Sequence, residues 1–589
     1  MNHPVAKLLL RLWHHIGRRR RGQFGLLLVL MILASFAEVL SIGAVLPFLA
    51  ILTDPSRVFG HPSAQPVIQV LGLVEPRQLI LPLTIAFGLA AIVTSAMRLL
   101  LLWASTRLSY AAGADISLSI YRRTLFQPYA VHVARNSSEI VDGMSGKANN
   151  AVYVINMVIN LISSSVMLIA ILVALLSVDA TIALLAFGGF GLIYASIIRL
   201  TRKRLLTNSQ TVAYESVQVI KSLQEGLGGI RDILIDGNQA AYCKSYSNAD
   251  QPLRRALGNN AFITYGPRYC MEGLGMLLIA TLAFVLVRPI DGIATAIPIL
   301  GALALGAQRL LPVLQQAYGS WAGIRSGQVS LQDTLALLDQ PLPDYADNQD
   351  IQPLPFRQLI SLNQISFRYS PQNPWTLRNL DLTIVKGAKV GIIGVTGSGK
   401  STLLDIVMGL LQPSEGVLKV DGQTITEANH RSWQTHIAHV PQAIFLADST
   451  IEENIAFGVP RAQIDQARVR QAAHQARIAA DIESWSEKYQ TIVGERGIRL
   501  SGGQRQRIGI ARALYKKANV IIFDEATSAL DNETEQDVMR AIENLSDDLT
   551  LLIIAHRLTT LKKCTQIVEL RDGGIERIGS YQDIIGLTI

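Results

Sequence analysis

The stretch GVTGSGKST, residues 394–402, matches the phosphate-binding pattern G-x-x-x-x-G-K-[ST]. It follows the strand-like stretch KVGII and precedes the helix-like stretch TLLDIVMGLL, which is the context that the pattern requires. Its glycines allow backbone N–H groups to surround phosphate oxygens, Lys400 can reach those oxygens, and the Ser401 hydroxyl can ligate Mg²⁺. The stretch therefore predicts an α/β domain with a phosphate loop in the C-terminal part of the chain.

A second motif, NVIIFDEATSALD at residues 519–531, places two acids after an apolar run. A buried strand would deliver Asp524 and Glu525 at its carboxyl end. We predict that Asp524 holds the Mg²⁺ shell and that Glu525 polarises the water that attacks the nucleotide. An ordinary pair of strand-end acids is the alternative, and the phosphate loop upstream favours an ATPase.

A third motif, LSGGQRQRIGIARAL at residues 500–514, lies between the other two. Small residues at the start of a helix form an anion site, because the first backbone N–H groups of a helix are unpaired. A second phosphate-binding element in one domain makes sense if it caps a nucleotide held by a neighbouring subunit. We therefore expect ATP sites that are shared between two chains.

With these motifs, residues 355–589 resemble the nucleotide-binding domain of ABC transporters. The resemblance implies that Tyr369 stacks on adenine, although a plain strand aromatic is the alternative. It implies that Gln442 touches Mg²⁺ and water, and that His556 contacts the γ-phosphate. The implied catalytic residues are Glu525, His556 and Gln442, and the implied Mg²⁺ ligands are Ser401, Gln442 and Asp524. The implied ATP contacts are Tyr369, Gly394, Thr396, Gly397, Ser398, Gly399, Lys400, Ser401, Thr402, Ser501, Gly502, Gly503 and Gln504. Because no site has lost its Glu, His or Lys, we expect two equal sites in a homodimer.

The N-terminal half differs in composition from this domain, because it holds long apolar runs. Each run can cross about 30 Å of hydrocarbon. Six spans are predicted, at about residues 23–51, 79–106, 150–178, 180–200, 261–287 and 293–317. The sequence thus predicts a helical membrane domain at 1–335, a linker rich in Pro, Asp, Asn and Gln at 336–355, and the α/β ATPase domain at 356–589.

Basic residues set the predicted orientation. They are concentrated near the N-terminus and in two predicted long loops, 107–149 and 201–260, which the positive-inside rule places in the cytoplasm. The net charge of +8 then needs no nucleic-acid partner. The three cysteines are far apart and predict neither a disulfide framework nor a metal cluster. We expect a multi-pass protein of a bacterial inner membrane, with its N-terminus and ATPase domain in the cytoplasm.

Six helices fused to one such ATPase domain resemble a half-size ABC exporter. This resemblance implies that the cytoplasmic loops carry short coupling helices, one near YAVHVARNSSE (129–139) and one near EGLGGIRDI (225–233). Paired glycines in the second stretch are a plausible place for a bend.

Three arginines interrupt the apolar runs: Arg98, Arg268 and Arg309. Counted at 1.5 Å per residue, all three lie roughly 27–30 Å from the outer membrane boundary. Guanidinium forks bind phosphate oxygens in pairs, so a shared depth is typical of a site for a diphosphate headgroup. Two alternatives stay open: arginines near an interface snorkel to water, and Arg268 can pair with Glu272 one turn away.

The membrane stretches FAEVLSIGAVLPFLAIL (36–52), MRLLLLW, GPRYCMEGLG and QRLLPVLQQ resemble the PglK-type bacterial lipid-linked oligosaccharide flippases. This resemblance implies that the three arginines engage the pyrophosphate of a polyprenyl-diphosphate glycan. Glu38, which lies in the first of these stretches, is our candidate for positioning the arginines. It also implies a short external helix, for which PVIQVLGL (66–73) has an apolar face. A lipid A-type or multidrug exporter is the alternative, and a regulator that uses ATP as a switch is a more distant one.

Overall fold

The structure is a computed structural model of the 589-residue chain. It describes residues 4–53, 55–60, 65, 68–69, 72–178, 180–287, 310–347, 351–525, 531–543, 548–555 and 561–585. The chain divides into two compact units. Unit 1 comprises Met1–Gln127 and Arg135–Pro341, and unit 2 comprises Pro128–Ala134 and Leu342–Ile589. The division after Pro341 falls inside the predicted linker, and the transfer of residues 128–134 to unit 2 departs from the predicted membrane domain of 1–335.

All regular structure described up to residue 338 is helical. In chain order the helices are α1 (Val5–His15), α2 (Arg18–Thr53), α3 (Pro55–Phe59), α4 (Ile80–Leu125), α5 (Tyr129–Ala134), α6 (Ser137–Asp142), α7 (Ala148–Val178), α8 (Ala180–Gly228), α9 (Ile230–Asp236), α10 (Gln239–Val287), α11 (residues 310–326) and α12 (Gln328–Leu338). A 3-10 turn at Pro76–Leu79 precedes α4, and a π-helical turn at Gly143–Lys147 precedes α7. Helix α12 extends three residues into the predicted linker, as far as Leu338.

Three segments of the described chain are long and apolar enough to cross a membrane: Arg18–Ser41, Pro76–Leu125 and Ser137–Ala174. The predicted spans 180–200 and 261–287 lie within α8 and α10. Of the predicted sixth span, residues 293–309 lie outside the described residues and the rest begins α11. The number and limits of six membrane spans therefore stay predictions. Half of the predicted external helix at 66–73, namely residues 66, 67, 70 and 71, also lies outside the described residues.

The two segments predicted as long cytoplasmic loops, 107–149 and 201–260, are mostly helix, and their cytoplasmic location stays a prediction. Helix α4 continues to Leu125 and α8 continues to Gly228. The extension of α8 buries one stripe, since Leu205 and Ser209 are fully buried and Ala213 is 8% exposed. A spacing of four residues places these side chains on one helix face. The side chains of α4 and α8 become polar beyond the apolar runs, so the hydropathy of the sequence falls there. The backbone hydrogen bonds of both helices nevertheless continue, which hydropathy does not reveal.

Short helices occur where the exporter resemblance implied them. Helix α5 covers Tyr129–Ala134, and α9 covers Ile230–Asp236 after α8 ends at Gly228. Gly237 ends α9 with a φ of 68°, a conformation that glycine adopts without a steric penalty. The α5 segment belongs to unit 2. Burial, followed by the nearby charges of Asp405 and Tyr369, raises the pKa of Tyr129 in this segment.

Unit 2 contains two β-sheets. Its strands are β1 (Leu359–Phe367), β2 (Leu377–Val385), β3 (Lys389–Gly394), β4 (Glu415–Val420), β5 (Gln423–Thr424), β6 (Ile437–Val440), β7 (Val520–Asp524), β8 (Thr550–Ile554), β9 (Gln566–Arg571) and β10 (Gly574–Gly579). One sheet has the order β10-β9-β3-β8-β7-β6, with β9, β3, β8, β7 and β6 parallel and β10 antiparallel. The other is antiparallel in the order β2-β1-β4-β5.

The helices that follow β3 pack against the parallel sheet and against one another. They are α13 (Lys400–Val407), α14 (His430–Gln434), α15 (Ile451–Ile455), α16 (Gln466–Gln475), α17 (Ala479–Ser484), α18 (Gly502–Lys516), α19 (Asn532–Glu543) and α20 (Tyr581–Ile585), with 3-10 turns at Asp344–Ala346, Arg461–Gln463, Lys488–Gln490 and Glu495–Gly497. Every residue of β8 is buried, as expected for a parallel strand covered on both faces. The predicted α/β architecture of this part is confirmed, and the parallel strands bring their carboxyl ends to one edge.

Candidate functional site

The phosphate loop connects β3 to α13 and is shaped by glycines that no other residue could replace. Gly394 has a φ of 148° and Gly399 a φ of 97°. A Cβ added at Gly394 would lie 2.3 Å from the Leu570 carbonyl oxygen, and one added at Gly399 would lie 2.6 Å from Leu377 Cδ2. Backbone conformation and close packing both require glycine here. The loop is therefore held as a backbone-lined cradle against the neighbouring strands.

The positive charge of Lys400 lies within this cradle. Its ammonium donates to the carbonyl oxygens of Gly394 at 2.9 Å and Val395 at 3.0 Å. Ser401, the next residue of α13, is exposed, whereas Ser398 and Thr402 are only 3% and 6% exposed. Backbone N–H groups at the start of a helix, together with a lysine, suit phosphate oxygens. This arrangement fits the predicted ATP contacts of the loop.

Tyr369 lies beside the loop. Its hydroxyl is 3.1 Å from Thr402 Oγ1, and its ring contacts Phe367 edge-on with centroids 5.0 Å apart. The side chain is 48% exposed. The structure thus brings an accessible aromatic ring to the phosphate loop, and its stacking on adenine stays a prediction.

The predicted catalytic acid contacts the predicted water-binding glutamine. Strand β7 ends at Asp524, and Glu525 follows with a φ of 52°. The Glu525 N–H donates to the Ile554 carbonyl of β8 at 3.0 Å, which holds this uncommon conformation. Gln442, two residues after β6, donates from Nε2 to Glu525 Oε2 at 2.7 Å. Adjacent parallel strands therefore bring together two side chains that are 83 residues apart.

Asp524 lies near two further titratable groups. Burial raises the pKa of Asp405 to about 6, and the negative charge of Asp524 contributes. Burial also lowers the pKa of His439, while the Asp524 charge opposes this change. Sequence reasoning missed Asp405. It lies four residues after Ser401 on α13, and that spacing places both side chains on one helix face.

The residues predicted to hold Mg²⁺ fit that ion chemically. Ser401, Gln442 and Asp524 supply hydroxyl, amide and carboxylate oxygens, the donors that Mg²⁺ prefers. Within the described part of the chain, no group of three or more His, Cys, Asp or Glu side chains could hold a metal. Mg²⁺ in ATPases uses one or two carboxylates together with substrate phosphates, so one acid is sufficient.

The LSGGQ residues form a reciprocal cap at the start of α18. Ser501 Oγ accepts from the Gln504 N–H at 3.2 Å, and Gln504 Oε1 accepts from the Ser501 N–H at 3.0 Å. Gly502 and Gly503 occupy the first helical positions. The spacing S-x-x-Q is a sequence signature of such a capping box, and our sequence-based predictions did not include it. Two predicted ATP ligands therefore also fix the helix end that presents them.

Two predicted site residues cannot be placed. His556 and Arg309 lie outside the described residues, as do residues 526–530 of the loop after Glu525. Their assigned roles stay predictions.

Comparison with known proteins agrees with this geometry. The ABC transporter transmembrane region family matches residues 24–299, and the ABC transporter family matches residues 377–528. An ATP-dependent lipid A-core flippase of Thiobacillus denitrificans is 30% identical over 393 residues, which cover 66% of this chain and 67% of that protein. The chain belongs to the ABC transporters. Its fold is that of a half-exporter with a helical membrane domain followed by an α/β nucleotide-binding domain, as predicted, and it is an ATPase coupled to translocation.

Further similarities extend over most of the transporter. An ATP-dependent lipid A-core flippase of Cupriavidus metallidurans is 27% identical over 493 residues, covering 82% of this chain and 81% of that one. A solved structure of a bacterial Atm1-family ABC exporter with ATP bound shares the fold, with a TM-score of 0.78 and 24% identity over 97% of this chain and 96% of that one. ATP is the nucleotide of the transporter, and Mg²⁺ is the general partner of such ATPases.

The two described membrane arginines of the transporter have glutamate partners. Arg98 forms an ion pair with Glu38 of α2, whose side chain is 3% exposed. Arg268 Nε lies 2.8 Å from Glu272 Oε1, one turn further along α10. The intrahelical pair considered as an alternative for Arg268 is thus present. A phosphate group that binds these arginines would have to share them with the two glutamates or take the place of the glutamates.

Proposed function

We propose that this transporter moves a phosphorylated glycolipid of the lipid A class from the inner to the outer leaflet of a bacterial inner membrane. The similarity to proteins named ATP-dependent lipid A-core flippases, over 82% of the chain in one of them, supports this proposal. Basic residues near the N-terminus and in the helix extensions support a cytoplasmic location for the ATPase domain.

The proposed hydrolysis uses the residues at the edge of the parallel sheet. The glycine cradle and Lys400 hold the phosphates. Glu525 acts as the general base that accepts a proton from the attacking water, and Gln442 orients Glu525 and that water. Mg²⁺, held by Ser401, Gln442 and Asp524, would neutralise negative charge on the phosphate oxygens. His556, which follows β8 by two residues in the sequence, is proposed to contact the γ-phosphate.

The proposed transporter is a homodimer with two ATP sites, each shared between protomers. Among the described residues, Ser501 and Gln504 bond to each other and not to the phosphate loop of the same chain. ATP that bridges the loop of one protomer to the LSGGQ cap of its partner would stabilise the closed state. Such a ligand can do work because it binds the closed state better than the open one.

Mixing two inactive subunits tests the shared site. A mixed dimer of Lys400→Ala and Ser501→Arg protomers retains one intact composite site, whereas each parent homodimer has none. We expect the mixed dimer to recover ATPase activity that both homodimers lack. Absence of recovery, in mixed dimers purified through two different tags, would reject the shared site.

For the substrate, we propose that Arg98, Arg268 and Arg309 bind phosphate groups of the glycolipid near the inner leaflet. A polyprenyl-diphosphate glycan is the second candidate, supported by the resemblance of residues 36–52 and the stretches around these arginines to lipid-linked oligosaccharide flippases. Both candidates are anionic amphiphiles, and guanidinium groups suit both.

Flipping assays with two fluorescent lipids distinguish the candidates. Proteoliposomes that contain the transporter would receive either lipid A or a polyprenyl-diphosphate glycan, with a Glu525→Gln variant as the inactive control. We expect ATP-dependent movement of lipid A and little movement of the glycan. Preference for the glycan would select the second candidate, and movement of an uncharged amphiphile alone would reject both.

A further inference from the structure

An apolar cavity of about 390 Å³ lies within unit 1, between α1, α2 and α7. Leu9 and Trp13 of α1, Phe24 and Leu28 of α2, and Ile155 and Val158 of α7 contribute to its wall. Arg21 is the only charged residue among those that line it. Trp13 is 40% exposed and Leu28 is 43% exposed, so the cavity opens at the surface of the helical unit. A cavity of this kind excludes polar ligands but accepts a hydrocarbon chain.

The wall formed by α1 is anchored on its other side and needs no ligand to stay in place. Leu8 of α1, which does not line the cavity, is fully buried in the core that includes α4, α7 and α12. His15 Nε2 lies 2.8 Å from Asp339 Oδ1, and Arg11 pairs with the same carboxylate. Arg21 donates to the carbonyl oxygens of Ile16 and His14, at 2.9 Å each, and so fixes the turn between α1 and α2.

Positive charge is concentrated at one end of the cavity. Four arginines, Arg18–Arg21, begin α2, and the first candidate membrane span begins at the same residue. Arg20 pairs with Asp115, Nε to Oδ2, at 2.8 Å, whereas Arg18 and Arg19 are exposed. Arg18 lies three and seven residues before Arg21 and Gly25, which line the cavity, so it shares their helix face. An exposed cation therefore stands one turn from the apolar wall, at the membrane interface.

We propose that this cavity binds an acyl chain of an anionic phospholipid of the surrounding bilayer, with the lipid phosphate held by Arg18 and Arg19. The apolar wall would contact the acyl chain of the lipid, and the two arginines would bind its anionic headgroup. The residues that line the cavity do not include Arg98 or Arg268, the two described arginines proposed to bind the transported lipid. We assign the site to the inner leaflet because the orientation given under the proposed function places the N-terminus in the cytoplasm. The proposal that the cavity binds a lipid does not depend on that orientation.

Trp13 provides a direct measurement, because it forms part of the wall. The full-length transporter would be placed in nanodiscs of phosphatidylcholine with increasing fractions of brominated phosphatidylglycerol or brominated phosphatidylcholine. Subtracting the emission of a Trp13→Phe variant isolates the Trp13 signal from the other five tryptophans. We expect saturable quenching by the anionic lipid at low fractions, with only gradual quenching by the zwitterionic lipid.

Two variants and a matched control test each half of the site. Gly25 lines the cavity, and a Cβ added there meets no atom within 4 Å, so Gly25→Leu can place its larger side chain into the cavity. Gly22 has equally open surroundings but does not line the cavity, so Gly22→Leu is the control. Gly25→Leu should abolish saturable quenching, and Gly22→Leu should leave it unchanged. Arg18→Glu with Arg19→Glu should weaken it about tenfold or more, as expected for losing a charge-assisted contact.

Equal quenching by both lipids, or saturable quenching that survives Gly25→Leu, would overturn the proposal. Basal ATPase activity of each variant verifies that the chain is folded. The measurement uses neither ATP nor a transported lipid, so a wrong substrate assignment would fail in the flipping assay and leave this result intact.

Discussion

Gln442 donates a hydrogen bond from its side-chain amide to the carboxylate of Glu525 over 2.7 Å, and this bond joins the carboxyl ends of β6 and β7. Glu525 itself is held in a left-handed conformation by its backbone bond to Ile554. Two side chains with separate predicted roles are therefore oriented as one pair. The two hydrogen bonds together orient the Glu525 carboxylate at the edge of the sheet.

Glu525→Gln should remove most ATP hydrolysis while preserving the fold. Glutamine has the same shape, and its carbonyl oxygen can still accept from Gln442, but it cannot take a proton from water. Loss of a general base typically lowers turnover about 10²–10⁴-fold. The measurement is ATPase activity beside nucleotide binding, which should persist. Glu576→Gln, an exposed acid paired with Arg571, is the control, and wild-type turnover in Glu525→Gln would refute the assignment.

Gly399→Ala should impair ATP binding more than a glycine change elsewhere in unit 2. The added methyl group would lie 2.6 Å from Leu377 Cδ2 and 2.9 Å from the Thr376 carbonyl, in addition to the backbone strain. Gly422→Ala is the matched control, since its φ of 82° is similar but its surroundings are open within 4 Å. Titration with a fluorescent ATP analogue measures the difference. Equal affinities of the two variants would show that the loop tolerates a side chain.

Ser501 should show separable structural and nucleotide roles. Ser501→Ala removes the cap of α18 and should cost about 0.5–2 kcal/mol of stability. Ser501→Asp can still cap the helix, so the thermal midpoint should recover. Its added negative charge would repel a phosphate, so ATPase activity should stay low. Recovery of both properties in Ser501→Asp would mean that Ser501 acts only as a cap.

Arg98→Ala should destabilise unit 1, because Glu38 is buried and would lose this counter-charge. Neutralising the acid as well, in Glu38→Gln with Arg98→Ala, should restore the thermal midpoint measured in detergent. If Arg98 also binds the transported phosphate, the double variant should still flip lipid about tenfold or more slowly than wild type. Full recovery of flipping in the double variant would show that Arg98 serves only as the ion-pair partner of Glu38 and does not bind the transported lipid.

Asp421 should make the stability of unit 2 depend on pH. Burial opposes ionisation, but bonds from the backbone N–H groups of Leu359, Arg357 and Gln358 hold the pKa of Asp421 below its usual 3.8. A lowered pKa stabilises the folded state above pH 3.8, and this contribution is lost as the pH falls through the folded value. Asp421→Asn should therefore lower the thermal midpoint at pH 7, by an amount that shrinks toward pH 3. If Asp421→Asn lowers the thermal midpoint equally at pH 7 and near pH 3, the ionised Asp421 carboxylate is not the source of the stabilisation.

Much of the candidate nucleotide site could be predicted from the sequence, because its parts are local. The phosphate loop, the LSGGQ cap and the acids after β7 each depend on residue types at short fixed spacings. Backbone conformation and helix ends obey such spacings whatever the distant contacts are. Apolar runs likewise predicted the membrane helices, since hydrocarbon requires about 20 apolar residues in succession.

Tertiary structure alone decided which of these parts meet. Gln442 reaches Glu525 across 83 residues, and Glu38 reaches Arg98 from another helix. It also decided that residues 128–134 belong to the ATPase unit and that α4 and α8 continue beyond their apolar runs. The physical reason is that hydropathy reports the solvent around a segment, and local patterns report backbone conformation. Neither contains the packing that brings distant side chains within hydrogen-bonding distance.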